Sequence, residues 1–120
     1  MRLTRALSLV ILCWSTVACT AEVRTGLDNV ANHRSLFAGR RIGIIANHTA
    51  YDRQGRFIVD VFRGIDGAQV VALFSPEHGL YGVEEAGETI DDRRDPKYGL
   101  PVHSLYGRTR KPTPQMLEGI

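Results

Sequence analysis

The sequence predicts an α/β fold, a parallel sheet with flanking helices. Three observations carry that prediction. Two apolar runs rich in β-branched residues, at 41–46 and 69–74, read as buried strands. Between them Phe57, Ile58, Val61, Phe62 and Ile65 recur at helical spacing, so the order strand–helix–strand reads as a right-handed parallel crossover. The second run then changes abruptly into Ser75-Pro76-Glu77-His78-Gly79, polar and turn-forming residues at a strand's carboxyl end, where open α/β sheets hold their ligands.

Taken in order, the chain opens on a leader. Arg2 and Arg5 precede an apolar stretch, residues 6–14, too short to span a bilayer, and the small residues Ser15, Thr16 and Ala18 follow. Residues 1–19 therefore read as a secretory signal peptide, which places the mature protein outside the cytoplasm, in the periplasm or cell envelope. Thr16-Val17-Ala18-Cys19 resembles a lipobox, which would make Cys19 a lipidation site and a membrane anchor. Plain cleavage near Ala18 or Ala21 is the alternative. Either way the second cysteine, Cys13, leaves with the leader, so the mature chain has no pair for an internal disulfide.

The leader also carries the net charge. The 120 residues hold 15 basic and 13 acidic side chains; without Arg2 and Arg5 the two signs balance at 13 each. A neutral mature segment gives no electrostatic footing for nucleic acid.

From Thr25 onward the fold proper begins. Leu27, Val30, Ala31, Leu36 and Phe37 make an apolar face at helical spacing, and Gly39 is a suitable stop. Asn47 and His48 open a polar loop after the first strand. The stretch 80–100 is polar and rich in glycine and proline, a length that in a compact domain is functional or mobile. A third strand is expected at 102–106, announced by Pro101. A helix is expected from Pro112, with Thr113 as N-cap and Pro114 in its first turn. No further strand follows that helix, so the expected sheet is incomplete: the chain reads as the front part of a longer protein, or as a truncated frame.

Phosphate-binding glycine fingerprints, H-E-x-x-H, C-x-x-C and G-x-S-x-G are all missing, which removes support for nucleotide, zinc-protease, redox or serine-hydrolase chemistry. What remains is polar residues at three strand ends: Asn47 and His48, Glu77 and His78, Tyr106 and Arg108. Glu77 is the leading acid/base candidate, because a carboxyl against strand-end apolar groups has its pKa raised by desolvation; capping the turn after Pro76 is the alternative. A metal set of His48, His78 and Glu77 is disfavoured, since neighbours in an extended segment point opposite ways. Glu84, Glu85 and Glu88 read either as a solvated acidic loop or as the source of the second carboxylate that glycosidases need.

Residues 25–28, 41–49, 74–79, 86–88, 99–107 and 111–113 together resemble the exo-β-N-acetylmuramidase NamZ family, DUF1343. The resemblance implies a Rossmann-like N-terminal domain over residues 25–120, followed in the family by a smaller domain, with the active site between the two. It implies release of N-acetylmuramic acid from peptidoglycan fragments, with no cofactor and no metal. Carried over by position, it makes Glu77 and Glu88 the catalytic carboxylates, and Asn47 and His78 substrate-positioning groups. The family favours Gln at His48, and no motif marks the cation for the lactyl carboxylate, for which Arg53 and Arg93 are the candidates considered. A polypeptide of these residues alone is expected to be inactive. The alternative is a non-catalytic envelope lipoprotein that binds wall sugars.

Overall fold

The computed structural model describes residues 22–84 and 92–120. Along the chain follow β1 (Arg41–Ile45), α1 (Ile58–Arg63), β2 (Gln69–Ser75), β3 (Arg93–Arg94) and β4 (Pro101–Ser104). In space the strands lie in the order β1–β2–β4–β3. β1, β2 and β4 are parallel, so the crossover read from the sequence is present. Beyond these three parallel strands the sheet is mixed, because β3 runs antiparallel along β4 through Arg93↔Val102 and Arg94↔Pro101. Two exposed arginines carry no apolar signal, and β3 was invisible in the sequence for that reason. Pro101 begins β4 rather than preceding it. A proline is tolerated at a strand's first residue, where a missing N–H costs least.

β2 is the central apolar strand, with Leu73 and Phe74 almost wholly buried. β1 is less buried than its composition suggests: it is an edge strand, and only Ile44 within it is buried while Ile45 is exposed. Between β1 and β2 the register passes from Ile42↔Val70 to Gly43↔Ala72, leaving Val71 as an extra residue. This bulge shifts the alternation of β2. Val70 and Leu73, three residues apart, consequently share one face with Ile44, Phe57, Val59 and Val102. Ala72 and Phe74 face the other way, against Leu105 and Met116.

α1 covers the first face. It ends at Gly64 and offers buried valines on two sides, Val59 toward the sheet and Val61 toward Val30 and Ile65. The segment Leu27–Leu36 packs outside α1, with the Phe37 and Phe62 rings edge-on at 4.9 Å. That segment is a 3₁₀ helix broken at His33 (φ −122°, ψ 22°), not the α-helix its spacing suggests. At three residues per turn Leu27 and Val30 share a stripe and Ala31 turns out to solvent; Leu36 would continue that stripe, but it follows the break at His33 and is exposed. The expected helix from Pro112 is likewise a single 3₁₀ turn, Gln115–Leu117. Pro114, not Thr113, is its N-cap residue, although Thr113 Oγ1 does accept the Met116 N–H at 3.4 Å. This turn lays Met116 over Phe74 and Leu105, closing the second face.

Candidate functional site

The carboxyl ends of β1, β2 and β4 form one row. Backbone bonds extend that row past the strands: Ala46 N–H donates to Phe74 C=O (3.0 Å) and Leu105 N–H to Ser75 C=O (2.8 Å). Directly after Ser75, the chain makes a tight turn closed by the Gly79 N–H bond to Pro76 C=O (3.1 Å). Its second and third residues are Glu77 and His78, both half-buried. His78 has φ 67°, the one non-glycine in left-handed backbone among the described residues. Histidine tolerates that region better than most residues, but it still costs energy, and such strain gathers at functional sites. The turn also alters the geometry assumed from the sequence, because Glu77 and His78 are not neighbours in an extended strand. Among the described residues, no three His, Cys, Asp or Glu side chains converge on one point.

The loop after the turn folds back onto the site. His78 Nδ1 lies 3.2 Å from the Glu84 carbonyl oxygen. A carbonyl only accepts, so this bond requires the Nδ1–H tautomer and leaves Nε2 of the neutral ring as an acceptor. The Glu84 carboxylate lies directly over Gly79: a Cβ there would fall 1.8 Å from its Oε2. Gly79 is thus fixed twice, by φ 73° and by this approach. Gly82 plays the same part against His48, whose ring would meet an added Cβ at 2.4 Å. In this way the loops after β1 and β2 touch.

Glu84 departs from the solvated acidic loop read in the sequence. Its side chain is only 14% exposed and pairs with Arg93 Nη1 at 2.5 Å, while Oε2 is buried with no partner among the described residues. Tyr81, in the same loop, donates to Asp95 Oδ1 at 2.7 Å, and Asp95 accepts the Tyr98 N–H at 2.6 Å. Burial, followed by the Asp95 bond, pushes the Tyr81 phenol well up. Asp95 is fully buried, so it ties the loop after β2 to the β3–β4 connection. Neither role was legible, because each depends on residues far apart in sequence.

The remaining sequence candidates are placed as follows. Asn47 is half-buried, and its Oδ1 accepts the Thr49 N–H (3.0 Å) and hydroxyl (2.7 Å), leaving its amide NH₂ for other partners. Arg53 pairs with Glu22, whose carboxyl Arg53 and then Arg24 pull down to about 2. His103 lies on β4 with Nδ1 3.2 Å from Asp92. Glu88 and Cys19, with Glu85, lie outside the described residues. A concavity of about 50 Å³ lined by Leu27, Val30 and Val61 is far too small for a sugar ring and involves none of these groups.

The parallel crossover sheet with its covering helix defines a Rossmann-like α/β domain, with a carboxyl and an imidazole side chain on a constrained turn at the carboxyl edge of its strands. Residues 42–120 match the family described as "Exo-beta-N-acetylmuramidase NamZ, N-terminal", and the chain belongs to that family. It is 38% identical over 100 residues to the peptidoglycan beta-N-acetylmuramidase NamZ of Bacillus subtilis (strain 168), covering 82% of this chain and 24% of that protein. It is also 38% identical to a DUF1343 family protein from Bacteroides fragilis NCTC 9343, whose crystal structure superimposes with a TM-score of 0.68 over 81% of this chain and 24% of that one. The chain thus spans about a quarter of the length of these relatives.

Proposed function

We propose that this chain forms the Glu77-bearing part of a peptidoglycan-degrading exo-β-N-acetylmuramidase, acting on muramic-acid-terminated glycans. The observation that supports it most is the position of Glu77: half-buried, on a turn pinned by His78 and Gly79, at the carboxyl edge shared by three parallel strands. A general acid must be held within hydrogen-bond reach of the leaving oxygen, and a constrained turn on a rigid sheet provides that hold. In this scheme Glu77 protonates the glycosidic oxygen as the bond to C1 breaks, and Glu88 supplies the second carboxylate that glycoside hydrolysis needs. The Asn47 amide and the His78 ring position the sugar. Residues 1–19 would export the protein to the envelope, with Cys19 as an anchor if it is lipidated.

The test uses 4-nitrophenyl N-acetylmuraminide. The 120-residue polypeptide alone is expected to release no 4-nitrophenol. A chimera in which it replaces the matching segment of the Bacillus subtilis relative is expected to release it. In that chimera Glu77→Gln should lower turnover by about 10²- to 10⁴-fold, the usual contribution of a general acid, with binding retained. Undiminished turnover in the Glu77→Gln chimera would overturn the role of Glu77. A folded chimera that binds wall sugar but never turns it over would favour the non-catalytic envelope protein.

A further inference from the structure

Of the cations near this edge, Arg93 is engaged by Glu84, and Arg53 by Glu22. Three others are not: Arg108, Arg110 and Lys111 are all exposed and make no ion pair among the described residues. They lie at 108–111, four to seven residues past the end of β4, the strand paired in parallel with the one that leads into Glu77. Ser75↔Ser104 is an in-register pair on parallel strands spaced about 4.8 Å apart. Glu77 and Tyr106 each lie two residues past that pair, and the Leu105 N–H bond to Ser75 C=O holds the two exits together.

The cations are also held in place locally. The Arg110 guanidinium lies 3.8 Å over the Tyr106 ring, a cation–π stack. The Tyr106 N–H donates to Ser104 Oγ at 3.1 Å, which fixes the base of that stack. Thr109 braces the loop, its hydroxyl donating to Lys111 C=O (2.6 Å) and accepting the Lys111 N–H (3.3 Å). A stacked guanidinium keeps its in-plane N–H donors free, in the fork that matches a carboxylate. Arg108 adds a second charge nearby, felt by Asp92 through space without a direct bond.

We infer that Arg110, stacked on Tyr106 and assisted by Arg108, is the subsite for a sugar-borne carboxylate, the acid group of the lactyl ether on O3 of N-acetylmuramic acid. This rests on the muramidase reading and deepens it, by naming the group that separates muramic acid from N-acetylglucosamine, a sugar otherwise identical. The balance of charge makes the assignment useful: the lactyl carboxylate is the one charged group of this sugar, and a guanidinium fork is its complementary partner.

The experiment is an NMR titration of the 120-residue chain with each sugar at low salt. N-acetylmuramic acid is expected to bind about tenfold more tightly than N-acetylglucosamine, as a charge-assisted bidentate contact gives. Added sodium chloride should narrow the gap. Arg110→Gln should remove most of it and Arg110→Lys part of it, while Arg53→Gln, at the Glu22 pair, leaves it unchanged. Equal affinity for the two sugars, or a preference that survives Arg108→Gln with Arg110→Gln, overturns the subsite and leaves the muramidase reading standing. Binding of neither sugar by the folded chain overturns the subsite as well, whereas the muramidase reading stands or falls on the chimera.

Discussion

At His78 the backbone and the side chain make opposite demands. Its left-handed φ favours glycine, yet its imidazole is bonded to the Glu84 carbonyl and stands beside Glu77. In most positions alanine is the milder replacement, because glycine leaves more freedom to the unfolded chain. Here the order should reverse: His78→Gly is expected to be more stable than His78→Ala by about 1 kcal/mol, read from urea unfolding of the two variants. That this turn bears chemistry was legible in the sequence, from the sudden passage of Phe74 into Pro76, Glu77 and His78. The strain was not, since no residue type announces it when glycine is absent from the strained position. Glu84 was left with two readings, a solvated acid or a second carboxylate, for a related reason. A run of acids normally faces water, and only the distant Arg93 and the bare Cα of Gly79 explain why this one is covered.

The strands were easier to read than the helices. Runs of β-branched residues placed β1 and β2 to within a residue, and the third strand expected at 102–106 overruns the end of β4 by two. Apolar spacing failed at Leu27–Leu36, where i,i+3 and i,i+4 repeats are hard to separate over so few turns and a 3₁₀ helix answers to both. A glycine inside a strand pattern, Gly43, signals close approach, and here the approaching groups are a ring and an aliphatic tip. A Cβ at Gly43 would lie 2.9 Å from Phe74 Cε2 and 2.8 Å from Ile120 Cδ1. Ile120 can swing aside, but the Phe74 ring is 2% exposed and cannot. Gly43→Ala is therefore expected to cost about 1–3 kcal/mol, the usual range for overpacking. Gly26→Ala, with open space around it, should change the melting midpoint little by comparison.

Across the whole molecule the ends of the sheet are tied together by carboxylates. Asp92 accepts the Ser104 N–H at 2.8 Å and contacts His103, holding the approach to β3 against the end of β4. Burial pushes the Asp92 carboxyl upward, but the Ser104 N–H, the His103 ring and the nearby Arg108 outweigh it and leave it below its ordinary value. A depressed folded-state pKa stabilises the fold above the unfolded value of about 3.9, and that stabilisation fades as pH falls through the folded one. The difference in unfolding free energy between the native chain and Asp92→Asn should thus shrink steadily between about pH 5 and pH 3; a constant difference would mean that the carboxylate contributes only its shape. The bulge at Val71 acts on the same scale. It works as a change of parity: positions of β2 before it and after it answer to opposite counting rules. A substitution scan along this strand would look irregular if sorted by odd and even numbers. Sorted instead around residue 71, Val70 would group with Leu73 as reporters of the α1 layer, and Ala72 with Phe74 as reporters of the layer closed by Met116.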